Sequence, residues 1–253
     1  MLMLPFLKNK FKNKICTFHG SYFFLINLSK LKFIFQMSLK LCNKFLFVSK
    51  YTKRKIDPYI KNISSKNKIV IQNGIFVDKY HFMKKHKQFN ILCLSAIKPR
   101  KGQINIIEVA RLLKNKKFKF KLTLAGEVQD KNYFKNIKDK IKKYNLENYI
   151  NIKRHVSDTE KRRLFINSNL FILLSENINN KFEGFGLVYL EALSYGLPIV
   201  ISSDSGASDL NINKFTGLIS KPNNFDKISK FIINLSLIKF YKISNECIKL
   251  CKE

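Results

Sequence analysis

The sequence predicts an α/β protein built on parallel sheets with helices packed on both faces. Three observations carry that expectation. Short apolar runs alternate with helical patterns along most of the chain. The runs are near-continuous Ile, Leu, Val and Phe, as in NLFILLS (169–175), which is the pattern of strands covered on both faces. The chain has 253 residues, 45% hydrophobic and 26% charged, enough for a sizeable core and too apolar for a disordered chain.

The elements follow in order. ICTFH (15–19) reads as a short buried strand and leads into an apolar-rich helix ending near Asn43. FLFVS (45–49) is a second strand, and YTKRKIDPYIK (51–61) continues as a short helix. KIVIQ (68–72) is a third strand, closed by the turn dipeptide Asn73-Gly74. The polar stretch from Phe76 to Gln88 reads as a linker. A second series then begins: strand FNILCLSA (89–96), helix GQINIIEVARLLKN (102–115), strand KFKLTLAG (119–126) and a lysine-rich amphipathic helix over 131–145. Strand YINIK (149–153), helix TEKRRLFINS (159–168), strand NLFILLS (169–175) and helix FGLVYLEALSYG (185–196) come next. Strands PIVIS (198–202) and FTGLIS (215–220) precede two more helical patterns from Asn224. This organisation makes 1–84 a partial α/β domain with its linker and 85–253 a complete α/β domain. In such sheets ligands lie beyond the carboxyl ends of the strands, here just after Ala96, Gly126, Lys153, Ser175 and Ser202.

Lys plus Arg number 48 against 17 Asp plus Glu, a formal charge of +31 that favours anionic partners. The Lys and Asn bias runs through the whole chain, as an AT-rich genome would produce, so most of these lysines read as a solvated surface. A nucleic-acid binder would interleave aromatic residues with basic ones on a sheet face; the Phe residues lie in apolar runs instead, which argues against nucleic acid as a partner. The five cysteines form no CxxC pair and the four histidines show no ligand spacing, so neither a disulfide framework nor a metal site is expected. The opening MLMLPFLKNKFKNK runs apolar then basic, the reverse of a secretory leader. The apolar stretch from Ser21 to Phe35 is broken by Lys30 and Lys32, well short of the roughly 20 residues of a membrane span. The expectation is a cytoplasmic protein, with basic N-terminal residues suited to peripheral contact with an anionic membrane.

Two strand ends carry the chemistry. Lys98-Pro99-Arg100-Lys101-Gly102 is a basic turn entering a helix, where backbone N–H groups and point charges suit an anion. Phe182-Glu183-Gly184-Phe185-Gly186-Leu187 precedes a helix that bears Glu191. Glycines let the backbone approach a ligand closely, and a carboxylate can hold sugar hydroxyls.

Glu183 to Glu191 reproduces the E-x7-E motif in EGFGLVYLEALSYGLPIV, and the chain resembles retaining glycosyltransferases of the GT-B fold, family 4. ILCLSAIKPRKGQINIIEVARLL, LTLAGE, YINIKRHVSDTEKRRLF and SDSGASDLNINKFTGLIS are similar to successive segments of that family's C-terminal domain. TFHG, FVSKYTKRKI and VIQNGI resemble parts of its N-terminal domain, so the likeness covers about 15–222. The resemblance implies transfer of a sugar from a nucleotide-diphosphate donor to a glycan or lipid-linked acceptor, in polysaccharide or lipopolysaccharide synthesis, with no metal or other cofactor. It also implies roles residue by residue. Glu183 contacts the transferred sugar, the amides of Gly184, Phe185, Gly186 and Leu187 meet sugar and phosphate, and Glu191 holds the ribose. Lys101 neutralises the departing diphosphate, the backbone near Val156 receives the base, and His19 stands near the reacting sugar. Arg100, Gly102 and Gly126 complete the donor site.

Three features depart from the family pattern. Ala96 stands where relatives carry Arg, with Arg100 placed to supply the charge from another direction. His155 replaces a Gly and Asp209 a Glu. TFHG starts at residue 17, whereas in relatives several strand–helix units precede it. The expectation is therefore an N-terminally truncated chain, and the alternative reading is a donor-binding half that needs a partner chain.

Overall fold

The computed structural model describes residues 13–27, 30, 32–61, 64, 67–83 and 87–252. The basic opening segment 1–12 and linker residues 84–86 lie outside the described residues. Contacts gather the chain into two compact units. One holds the residues up to Gly74 together with Asn177–Gly186 and Ser205–Asp209; the other holds Ile75–Glu176, Leu187–Asp204 and the chain from Leu210.

The smaller unit has a parallel three-stranded sheet in the order β1 (Ile15–Phe18), β2 (Lys44–Phe47), β3 (Lys68–Val70), with Cys16 opposite Phe45 and Phe47 opposite Val70. The single helix expected between the first two strands is two, α1 (Tyr22–Asn27) and α2 (Lys32–Lys40). Phenylalanine fills the core: Phe18 stacks on Phe47, and Phe23 meets Phe18 and Phe35 edge-on. Such aromatic pairs each add about 0.5–1.5 kcal/mol beyond the area they bury. Helix α3 (Lys50–Ile56) starts at Ser49, whose hydroxyl accepts the Thr52 N–H at 2.9 Å and so satisfies one of the open amides of the first turn.

The larger unit has six parallel strands in the order β6-β5-β4-β7-β8-β9, with β4 at Phe89–Leu94, β5 at Phe120–Ala125, β6 at Ile150–Lys153, β7 at Leu170–Leu173, β8 at Ile199–Ser202 and β9 at Gly217–Ser220. Helices α4 (Gln103–Asn115), α5 (Lys131–Lys143), α6 (Asp158–Ile166), α7 (Val188–Ser194), α8 (Phe225–Ser236) and α9 (Phe240–Lys252) complete it. Every residue of β7 and β8 is buried, as their unbroken apolar sequence predicts. The hydroxyl of fully buried Tyr189 donates to the Leu173 carbonyl at 2.8 Å, so that hydroxyl is paired in the core. Between α4 and α5 the Glu108 carboxylate accepts from Lys140, from Tyr144 at 2.8 Å and from Arg111 at 3.0 Å. The helix expected over 185–196 begins only at Val188, because Gly186 has a φ of 87°, a left-handed conformation that a right-handed helix excludes. Among the described residues no helix is long and apolar enough to cross a membrane.

Strand order reverses beside β4: the chain first builds β5 and β6 on one side, then returns to lay β7 on the other. Crevices in open parallel sheets form at such switch points, beyond the carboxyl ends of the strands.

Candidate functional site

In the larger unit a cleft of about 640 Å³ opens at those carboxyl ends. Ser95 and Ala96 after β4, Gly126 and Glu127 after β5, and Arg154, His155 and Val156 after β6 line it, and α7 contributes Val188 and Glu191. The cleft thus brings together the expected Gly126, Val156 and Glu191. Gly126 is required there: its φ is 140°, and a Cβ would lie 2.1 Å from the Ser95 carbonyl oxygen. The loop at Val156 is held by the capping box of α6. Ser157 N–H donates to the Glu160 carboxylate at 3.1 Å and Glu160 N–H to the Ser157 hydroxyl at 3.2 Å. That backbone N–H, with the Ser157 hydroxyl and nearby Lys153, holds the Glu160 carboxyl below its usual range.

Two cations that reading along the chain did not single out also line the cleft, Arg154 and Lys161. Lys161 Nζ lies 2.8 Å from each carboxylate oxygen of Glu191. The signal was present: Lys161 falls on the first turn of α6, directly after the Val156 loop. Lys161 and Glu191 also border a neighbouring cavity of about 610 Å³, alongside Phe76, His81 and Tyr195.

Arg100 and Lys101 do not line this cleft. They form a single 3-10 turn, Pro99–Lys101, closed by Gly102. Gly102 has a φ of 69°, and a Cβ there would lie 1.9 Å from the Leu174 carbonyl oxygen. Glu176 N–H donates to the Arg100 carbonyl at 2.9 Å, so the basic turn after β4 is seated on the residues following β7. The first turn of α4 is internally spoken for. Ile104 N–H donates to the Tyr133 hydroxyl at 3.0 Å, and the Gln103 side chain donates to the Ala96 carbonyl at 3.0 Å. Burial pushes the Tyr133 hydroxyl pKa well up, keeping it a neutral acceptor.

The smaller unit contains His19, Glu183, Gly184, Phe185 and Gly186. The imidazole-bearing His19 is exposed, and its carbonyl lies against Gly184, where a Cβ would come within 1.9 Å of that oxygen. Glu183 is half-buried and forms a parallel bridge with Ser205; its carbonyl accepts the Gly206 N–H at 2.9 Å. The Gly184 carbonyl accepts from Ser49 Oγ at 2.7 Å and Thr52 Oγ1 at 3.0 Å. Asp209, the Glu-to-Asp departure, accepts the Tyr51 N–H at 2.9 Å and lies 3.6 Å from Arg54. Ser49 and Thr52 were not predicted as site residues; the sequence marks them only as the start of a helix.

The family model of glycosyl transferases group 1 matches residues 78–249. A glycosyltransferase of Methanocaldococcus jannaschii is 27% identical over 232 residues, covering 90% of this chain and 60% of that protein. The capsular polysaccharide biosynthesis glycosyltransferase CapM of Staphylococcus aureus is 28% identical over 209 residues, covering 75% of this chain and 52% of CapM. The chain therefore spans little more than half the length of these relatives. Among solved structures, a glycosyltransferase from Rickettsia africae ESF-5 superposes with a TM-score of 0.76 at 21% identity, over 94% of this chain and 64% of that one. Anabaena HepE, crystallised with UDP and glucose, gives 0.76 at 16% identity over 95% and 67%. At these identities the likeness is one of fold, and it agrees with the parallel Rossmann-like sheets described above. Fold, strand-end cleft and family match together place this chain in the glycosyl transferases group 1 family, with the GT-B fold.

Proposed function

We propose that this chain binds a nucleotide-diphosphate sugar and serves in transferring that sugar, with retention of configuration, to a glycan or lipid-linked acceptor in surface-polysaccharide synthesis. The observation that carries the reading is the cleft at the switch point, lined by Gly126, the Val156 loop and Glu191 and of suitable size for a nucleoside. Val156 backbone groups would receive the base. Glu191 would accept the ribose hydroxyls, exchanging part of its contact with Lys161, whose ammonium then stays beside the nucleotide. The UDP and glucose in the Anabaena structure and the capsular role in the name of the Staphylococcus relative support this choice of substrate class.

Breaking the sugar–diphosphate bond sends the electron pair to the phosphate and leaves positive charge on the anomeric carbon. Lys101 and the amides of Gly184 to Leu187 would stabilise the departing phosphate; preorganised donors of this kind act where charge develops. Glu183 would hold the sugar, and His19 would stand by the reacting sugar. In front-face attack the acceptor oxygen bonds to the anomeric carbon while its proton passes to the leaving phosphate oxygen, so no protein nucleophile is needed.

The test is a thermal-shift screen with UDP-, GDP- and ADP-sugars on the wild type and Glu191→Ala, with NMR of the anomeric proton of any product. Stabilisation by one nucleotide class, lost in Glu191→Ala, is expected. Unchanged nucleotide affinity in Glu191→Ala overturns the reading.

A further inference from the structure

All five cysteines are thiols in this structure. Burial pushes the Cys93 thiol up to about 12 and also raises those of Cys247 and Cys251. Thiols so placed are poorly ionised and react slowly. On α9, Cys247 Sγ faces the Phe215 carbonyl at 4.0 Å and Cys251 Sγ donates to the Leu190 carbonyl at 3.5 Å, so the two turn to different partners. Cys16 and Cys42, both in the smaller unit, are arranged differently. Cys16 lies on β1 opposite Phe45, and Cys42 stands two residues before β2. The strand pairing continues into that turn: the Asn43 N–H donates to the Lys14 carbonyl at 2.7 Å, and the Lys14 N–H to the Asn43 side chain at 2.8 Å. The start of β1 is thereby laid beside the end of the turn after α2. Cys16 belongs to the aromatic core, and half-buried Cys42 packs against that core. The two sulfurs meet there: the Cys16 thiol donates to Cys42, and Cys42 Sγ donates onward to the Ser38 carbonyl at 3.4 Å.

This contact gives the two thiols different parts. The hydrogen bond from Cys16 outweighs burial and, with Lys14 nearby, favours the Cys42 thiolate, holding Cys42 below the ordinary thiol value. The same hydrogen bond, together with burial, raises Cys16. The thiolate is the nucleophile of disulfide exchange, and Cys42 is the more accessible of the pair. We propose that Cys16 and Cys42 form a redox modification site, a dithiol that a low-molecular-weight disulfide oxidises to a Cys16–Cys42 bridge. The Cys42 thiolate attacks one sulfur of R–S–S–R, whose S–S bond breaks as the first RS⁻ leaves. Cys16 then gives up its proton and attacks the Cys42 sulfur of the mixed disulfide, displacing the second RS⁻. In sum the two protein thiols lose two electrons and two protons, and R–S–S–R becomes two RSH. The bridge ties β1 to the turn after α2 and closes a loop that carries His19, α1 and α2. This inference is independent of the function proposed above.

The experiment treats the reduced full chain with oxidised glutathione near neutral pH and compares the wild type with Cys16→Ala and Cys42→Ala. Intact mass and peptide mapping without reduction follow the products over time. The wild type is expected to lose about 2 Da, with the loss mapped to a linked Cys16–Cys42 peptide and reversed by dithiothreitol. That bridge should form at least about tenfold faster than any modification of Cys93, Cys247 or Cys251. Cys16→Ala should stop at the mixed disulfide, with one glutathione retained on Cys42, and Cys42→Ala should leave Cys16 unmodified. A wild type that keeps glutathione on Cys42 with Cys16 still reduced overturns the proposal. So does a bridge that involves another cysteine, or a folded chain that does not react while the chain in urea does. If an alanine variant fails to fold, the wild-type peptide map and its time course decide between the same outcomes.

Discussion

Replacing Gly184 by Ala tests the construction of the Glu183 turn at its tightest point. An added Cβ would lie 1.9 Å from the His19 carbonyl oxygen and 2.8 Å from its carbonyl carbon. Both are backbone atoms, which cannot rotate away as a side chain can. Clearing them requires a displacement of about an ångström, and overpacking of that kind costs about 1–3 kcal/mol. The same displacement pulls the Gly184 oxygen off Ser49 and Thr52, at about 1 kcal/mol for each hydrogen bond. The total of about 3–5 kcal/mol corresponds to a melting temperature lower by roughly 6–20 °C for a chain of this length. Gly74→Ala is the control, since nothing lies within 4 Å of a Cβ there; its effect should stay within about 1 kcal/mol and lean toward stabilising. Scanning calorimetry of the two variants beside the wild type measures the difference. A Gly184→Ala chain that melts within about a degree of the Gly74→Ala control refutes the close backbone packing on which the argument depends.

Other outcomes follow from the same geometry. Lys101→Ala should slow transfer about ten- to hundredfold, since a hydrogen bond to a charged group is worth about 1.5–3 kcal/mol; steady-state rates with the identified donor check it. Burial opposes ionisation of Glu108, but hydrogen bonds from Lys140, Tyr144 and Arg111 outweigh it and hold its carboxyl below the ordinary value of 4.5. A depressed carboxylate pKa stabilises the fold above the unfolded-state pKa and loses that contribution as pH falls through the folded-state value. Glu108→Gln should therefore cost about 1.5–3 kcal/mol at pH 7 in urea titrations, and the gap to wild type should close in acid below the depressed value. Ser157→Ala removes the cap that shapes the Val156 loop and should weaken nucleotide binding about fivefold, the equivalent of one lost cap, as read by calorimetric titration.

Much of the local structure was legible in the chain because burial leaves a periodic trace. The unbroken apolar runs at 170–173 and 199–202 became strands buried along their whole length. The E-x7-E segment led to Glu191 on the cleft wall. The reading of elements slipped where one expected helix is two, α1 and α2, and where Gly186 delays α7 to Val188, since periodicity does not encode φ.

From sequence alone came the α/β class, the alternation of strands and helices, and the strand ends at which chemistry was to be sought. All of these depend on the polarity of residues within a few positions of one another, which a linear reading can see. The tertiary structure decided that β4 lies between β5 and β7, that Lys161 and Glu191 pair although 30 positions apart, and that Ser49 reaches Gly184 across 135. It also decided that 177–186 and 205–209 pack with the smaller unit, which no single cut along the chain reproduces. Those choices rest on which strand edges meet and on how closely two backbones approach at a glycine, quantities that no local pattern contains.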